Sequence, residues 1–423
     1  MTAILLKGAS IVYDTYTGKQ LCNLNVYIED GLIQEITEKS TGFKSDYVVE
    51  CNKKAVLPGL ANTHTHLAMT LFRGLADDLP LREWLEKRIW PLERKLKREH
   101  ALVASKLGLI ELVKAGVTAF ADNYFFEDAL VEATKSVGLR ALVCPPIFDG
   151  EFEEHTLSHV SNLVLSQRCD ALVKWGFGPH SIYSCKKETL EQIGALSKEH
   201  EIRVTIHLAE TRWSQVLCEK SFGKRETDLL EECGLLSSRT LASHAVWVTK
   251  QEIRKLANYE VSVSFCPVSN MKLAEGGVAP VPELLKEGVR VSFGTDGAAS
   301  NNSLSVLETI KIGLLLIKHS RWDPTLLKPH EALLIATKNG YEALGFPKHA
   351  LQTGNAADVI TLDLRTPSVI CHRSVPLPNR IVYAPVATVD VIVSGKPVMI
   401  NGKILTIDEE EAKQEFTKAL EDF

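Results

Sequence analysis

The chain has 423 residues, 45% of them hydrophobic, with 48 Lys plus Arg against 53 Asp plus Glu and a net charge of −5. That length and apolar share suit one large domain with a smaller companion and exclude a disordered chain. The mildly acidic balance, free of long single-sign blocks, argues against a nucleic-acid partner.

No apolar run reaches the ~18 residues of a membrane span, and the opening MTAILLKGASIVYD lacks a basic start and a cleavage site. The expectation is no membrane partner and a cytoplasmic location. The nine cysteines are scattered without a CxxC pair, which reads as reduced thiols rather than a disulfide framework.

Residues 1–57 alternate apolar and polar side chains in short runs such as NLNVYIEDGLIQEITE, the pattern of strands and hairpins. From Ala55 onward, β-rich runs are separated by stretches of helical period. The runs are AVLPGLANTHTH, GVTAFADNY, RALVCPPIF, VKWGFGPHS, IRVTIHLAE, TLASHAVW, VSVSFCPVSN and VRVSFGTDGAAS. Eight of them predict an α/β fold, a (β/α)8 TIM barrel over residues 58–354. After about Leu351 strand patterns return in NAADVITLDL and ATVDVIVSGKPVMINGKILT. Each chain end is short for a core of its own, so residues 1–57 and 355–423 are expected to form one small β-sandwich domain. The final DEEEAKQEFTKALEDF sets Ala412, Phe416, Ala419, Leu420 and Phe423 on one helical stripe, a docking helix.

Active sites of such barrels lie at the carboxyl ends of the strands. The first run ends in His64-Thr65-His66, and side chains two apart on a strand point the same way, so both imidazoles can meet one ion. The fifth run ends with His207, and Glu210 follows three residues later; the eighth ends with Asp296 between Gly294 and Gly297. Taken singly, His207 reads as a core imidazole and Asp296 as an Asx turn. Together, three imidazoles and a carboxylate from three strand ends suit zinc or ferrous iron, with room left for water. His180 and His244 end the fourth and sixth runs on the same rim, where they could hold substrate and orient water.

PGLANTHTH, IHLAET, SHAVW and GTDGAASNN resemble the amidohydrolase superfamily. MTLFRGLADDLPLREWLEKRIWPLE, GFGPHS and GVAPVPELL resemble its methylthioadenosine/S-adenosylhomocysteine/5′-deoxyadenosine deaminase branch, over almost the whole chain. The resemblance implies that His64, His66, His207 and Asp296 bind one divalent metal, usually zinc, with Fe2+ or Mn2+ as alternatives. It makes Glu210 the proton shuttle, with Asp296 sharing the water's proton, and gives His244 the task of steadying the hydroxide. Glu93 in WPLE would bind the ribose hydroxyls, His180 would contact the nucleoside and Trp84 would line the pocket. Without the family pattern, Trp84 and Glu93 read as a helix-packing residue and a solvated charge.

The implied reaction is hydrolytic deamination of adenine nucleosides (5′-methylthioadenosine, 5′-deoxyadenosine, adenosine, S-adenosylhomocysteine) to the hypoxanthine nucleoside and ammonia. The partner is a small molecule, and a homo-oligomer is compatible with the resemblance. The fourth run ends without the bridging acid or lysine of two-metal relatives, and Lys174 near its start reads as a solvated charge, so one metal is expected. Pro145 stands where bacterial relatives that handle S-adenosylhomocysteine carry an arginine, and Asp149, Glu151, Glu153 and Glu154 follow it. The expected preference is for nucleosides without that carboxylate. Phe265-Cys266 stands where such relatives often have His-Asn. Two other readings share the scaffold: a triazine or other heteroaromatic hydrolase, and a non-catalytic amidohydrolase-like protein.

Overall fold

The structure, a computed structural model, describes residues 2–39, 42–150, 152 and 155–423. Its centre is a ring of parallel strands: β1 Leu60–Thr65, β2 Val117–Asp122, β3 Arg140–Val143, β4 Val173–Pro179, β5 Arg203–Leu208, β6 Thr240–His244, β7 Ser262–Phe265 and β8 Arg290–Phe293. They pair in sequence order from β1 to β8, with the short strand Pro146–Ile147 also joined to β4. These strands read as apolar runs because inward side chains fill the ring while outward ones meet helices, which leaves β1 and β2 buried along their whole length. Helices such as Arg98–Lys114, Lys187–His200 and Val306–Arg321 form the outer layer. Hydroxyls mark several helix starts, with Thr211, Thr249 and Ser305 accepting from the backbone N–H three residues on.

Closure of the ring falls mainly to side chains, with one backbone bond beside them. No strand ladder joins β8 to β1 among the described residues. The amide of Asn62 instead donates to Thr295 Oγ1 at 2.7 Å and accepts from Thr295 N at 3.0 Å. Thr63 Oγ1 donates to Phe293 O, and Asp296 N donates to His64 O at 2.9 Å.

Both chain ends build two further sheets. One orders the strands Leu32–Thr37, Leu24–Glu29, Ala3–Ala9 and Tyr47–Glu50; the other runs from Lys403–Ile404 through Val359–Asp363 and Lys54–Pro58 to Lys19–Leu21. Ile4, Val26, Ile28 and Ile33 of the first pack on Val12, Val56, Val359 and Ile392 of the second, so the two sheets share one sandwich core. The C-terminal helix Glu409–Ala419 docks as the stripe predicts, with Ala412 buried and Phe423 edge-on to Phe72 at 5.6 Å. Leu420 departs from that stripe and is exposed, because the chain tightens there into a 3-10 turn over Leu420–Asp422.

The foot of the barrel holds two features that the sequence left undetermined. Arg140 forms a two-pronged ion pair with the buried Asp358, and His349 sits between Tyr16 and the carbonyl of Gly59. Lys174 is not a solvated charge: it is half-buried, donates to Gly345 O and lies over the Phe346 ring. It stands at the opposite end of β4 from His180, and so away from the mouth.

Candidate metal centre and active site

The loops leaving the strand ends turn sharply. Ala209, His244, Ala245 and Asp296 all adopt left-handed backbone angles, with φ of 50°, 73°, 49° and 65°. None is glycine, and such conformations cost on the order of 1 kcal/mol or more each, a strain that clusters at functional sites. The result is a tight ring of side chains. His64, His66 and His207 offer nitrogens within 4.8 Å of one another, and His64, His244 and Asp296 form a second such group. Asp296 Oδ1 lies 3.4 Å from His64 Nε2 and 3.2 Å from His66 Nε2. All five residues are buried.

Hydrogen bonds behind the ring decide what faces inward. His66 Nδ1 meets the carbonyl of Asn123 at 2.7 Å, and His207 Nδ1 meets that of His180 at 2.6 Å. A carbonyl only accepts, so both Nδ1 atoms carry a proton, and in the neutral rings that a metal requires both Nε2 atoms present lone pairs. His66 Nε2 then confronts a carboxylate oxygen at 3.2 Å, and His64 Nε2 is buried without a hydrogen-bond partner. Facing acceptors at such separations call for a cation between them, so the residues present fit a divalent metal with nitrogen and oxygen ligands. Asp296 is steadied by Gly297 N on one oxygen and by the hydroxyls of Ser269 and Ser300 on the other. Asp122 anchors the stretch carrying His66, accepting from Thr65 Oγ1 and Leu67 N.

Glu210 follows β5 just before the Thr211 cap, and its Oε1 lies 3.6 Å from His244 Nε2. Burial, with Glu275, Asp296 and Glu226 nearby, pushes its carboxyl well above the ordinary range. Burial pulls both His180 and His244 down to about 3, so these rings are neutral. His180 holds Ser184 Oγ through Nδ1 at 2.9 Å and stacks on Phe148 at 4.7 Å.

Above the ring lies a cavity with about 540 Å³ of empty space, part of it open to solvent. His66, His207, Glu210 and Asp296 reach it from below, His180 from one side, and Trp84 and Glu93 from the segment after β1. Glu93 is buried and accepts from the Tyr124 hydroxyl at 2.7 Å; burial lifts its carboxyl to about 7. Neither Trp84 nor Glu93 is a bystander, since both line the cavity.

Several lining residues escaped the sequence reading: Tyr124, Phe125, Phe148 and Tyr183. The aromatic run NYFF after β2 is the signal that could have found the first two. On the third-strand loop it is Pro146 rather than Pro145 that reaches the cavity. Asp149 does not enter it, since its carboxylate accepts from Lys186 N and Thr189 Oγ1 at the start of a helix. Glu151, Glu153 and Glu154 lie outside the described residues.

Known proteins share this organisation. Residues 55–405 match the model of the amidohydrolase family. A 5′-deoxyadenosine deaminase of Methanosarcina acetivorans is 40% identical, covering 100% of this chain and 98% of its own. A 5-methylthioadenosine/S-adenosylhomocysteine deaminase of Pyrococcus horikoshii is 35% identical, over 98% and 99%. Among solved structures, an adenosine deaminase from Xanthomonas campestris with bound zinc superposes with a TM-score of 0.93 at 30% identity, over 99% and 98% of the two chains. A zinc-bound atrazine chlorohydrolase from Arthrobacter aurescens shares the fold, with a TM-score of 0.90 at 22% identity. The match to the family model over residues 55–405, together with end-to-end likeness to the deaminase from Methanosarcina acetivorans, places the chain in the amidohydrolase family.

Proposed function

We propose that the protein is a metal-dependent aminohydrolase that removes the exocyclic amino group of adenine nucleosides as ammonia. The observation that carries this reading is the pairing of one buried cluster of His64, His66, His207 and Asp296 with two differently placed acids, Glu210 beside the cluster and Glu93 across the cavity. A divalent cation held by His64, His66, His207 and Asp296, most simply zinc, would lower the pKa of a water to about 7 and supply a nucleophile at neutral pH.

Each side chain then has a task. Glu210, held protonated by burial, hands its proton to the ring nitrogen beside the amino-bearing carbon and makes that carbon electrophilic. Asp296 and Glu210 take up the two protons of the attacking water in turn; one restores Glu210 and the other passes to the departing amino group, which leaves as ammonia. His244 holds the attacking oxygen, and the neutral His180, stacked on Phe148, borders the base. With one oxygen occupied by Tyr124, Glu93 keeps its other oxygen for a sugar hydroxyl. Trp84, Leu81, Leu85 and Phe125 enclose the substrate and exclude water.

No lysine or arginine lines the cavity among the described residues. The reading therefore favours 5′-methylthioadenosine, 5′-deoxyadenosine or adenosine over S-adenosylhomocysteine, whose carboxylate meets no cation there. It also takes the protein to carry one metal per chain and residues 1–57 with 355–423 to be one unit.

The test is ammonia release by zinc-loaded protein from a panel of adenine nucleosides, guanine compounds and s-triazines. Adenine nucleosides should turn over, and S-adenosylhomocysteine should show the lowest kcat/KM of the nucleosides. Glu93→Gln should raise KM for nucleosides. Turnover of triazines alone, indifferent to Glu93→Gln, would overturn the reading in favour of a triazine hydrolase. A chain that binds no metal would revive the non-catalytic alternative.

A further inference from the structure

The short helix after β7, Pro267–Lys272, does more than link two strands. Its Ser269 hydroxyl reaches Asp296 of the β8 loop, and its Asn270 amide reaches His244 at the end of β6, with Asn270 Nδ2 2.9 Å from His244 Nδ1. An amide –NH2 only donates, so Nδ1 must accept and cannot carry the ring proton. A neutral imidazole has one N–H, which then sits on Nε2.

The other side of the ring agrees. His244 Nε2 is buried and unpartnered, and it faces Glu210 Oε1 at 3.6 Å, too far for a hydrogen bond. An N–H aimed at that point faces a carboxyl oxygen, which can accept. It is also a donor that the protein leaves unspent, pointing where a reacting oxygen would lie.

We infer that Asn270 is a positioning residue that fixes His244 as an Nε2–H hydrogen-bond donor and thereby removes it from the metal's ligand set. Two nitrogen-rich groups share His64, and this arrangement decides between them. A ligand must offer a lone pair, which His66 and His207 do because carbonyls hold their Nδ1 protons. His244 is held the other way round by an amide donor, which leaves one metal served by His64, His66, His207 and Asp296. The contribution of β7 therefore comes from Ser269 and Asn270, downstream of the Phe265-Cys266 pair. Asn270 itself is fixed by the backbone, since its N donates to Cys266 O and its carbonyl accepts from Glu275 N.

The kinetic part of this inference rests on the deaminase reading, whereas the ring proton can be located with no substrate present. Long-range 1H–15N spectra of the full chain, labelled at histidine nitrogens and assigned with His244→Gln, should show the proton on Nε2 of His244 both before and after zinc loading. Asn270→Asp is isosteric and puts an acceptor opposite Nδ1, so it should move the proton to Nδ1. It should also lower kcat about a hundredfold, the scale for losing one oriented donor, with KM unchanged. A wild-type ring protonated at Nδ1, which an opposite amide orientation would produce, overturns the inference whatever the substrate proves to be. So does an Asn270→Asp protein that reverses the tautomer yet keeps full kcat. Should that variant fail to fold, the wild-type spectrum still decides the tautomer.

Discussion

Glu210 and Glu93 are both buried carboxyls, yet their surroundings separate their work. Glu210 lies buried among Glu275, Asp296 and Glu226, which raises its carboxyl; Glu93 has a phenol hydroxyl that stabilises its ionised form. Glu210→Gln keeps the shape and cannot exchange protons. It should lower kcat by about 10²- to 10⁴-fold with metal content unchanged by elemental analysis. Tyr124→Phe removes the hydroxyl from Glu93, and a hydrogen bond to a charged group is worth ~1.5–3 kcal/mol. Nucleoside KM should rise roughly tenfold or more while kcat changes little, as steady-state kinetics would show; equal loss in both constants would move Tyr124 into the chemistry. That His64, His66 and Asp296 come together was legible in the sequence because HTH fixes two side chains on one face and TDG ends a strand. Tyr124 beside Glu93 and Asn270 beside His244 were not, since each bond joins residues 31 and 26 positions apart whose meeting depends on the finished ring.

At the level of elements, strand ends that crowd their side chains into one ring leave little room behind them. A Cβ added to Gly294 would lie 2.7 Å from His64 Cβ, 2.5 Å from Ser264 Oγ and 2.9 Å from Cys266 Sγ. Gly294→Ala must therefore displace the backbone of β1 or β7, and support for ligands commonly contributes 10- to 100-fold in metal affinity. Zinc binding, measured by competition with a chelating dye, should weaken by at least about tenfold. The eight strands and the docking helix were readable from period alone. The tightening at Leu420 was not, because a heptad-like stripe carries no signal for the point where an α-helix gives way to a 3-10 turn.

For the whole molecule, the foot of the barrel supplies a pH response that owes nothing to catalysis. His349 donates from Nε2 to the Gly59 carbonyl, accepts from the Tyr16 hydroxyl and stacks on Tyr341 at 3.4 Å. Burial lowers its pKa from the ordinary 6.5 to about 4. A histidine depressed in this way stays neutral in the native chain while the unfolded chain takes up a proton, so its stabilising share is complete above pH 6.5 and is lost as pH falls towards 4. The slope from one such group is at most ~1.4 kcal/mol per pH unit. The Tm gap between wild type and His349→Gln should be widest at neutral pH and shrink across that window; parallel curves would exclude the assignment.

The seam between β8 and β1 has a consequence for how the chain depends on its surroundings. Two edges that share no ladder among the described residues are the ones that bring Asp296 from the loop after β8 and His64 with His66 from the end of β1. An ion seated there acts as a clasp on a bracelet, and a ligand at 1,000 times its dissociation constant adds about 4 kcal/mol to the native state. Stripping the metal should lower Tm and quicken amide exchange first along β1 and β8. The trace element that equips the protein to react would then also fasten it shut, so scarcity of the ion would cost the cell folded molecules as well as turnover.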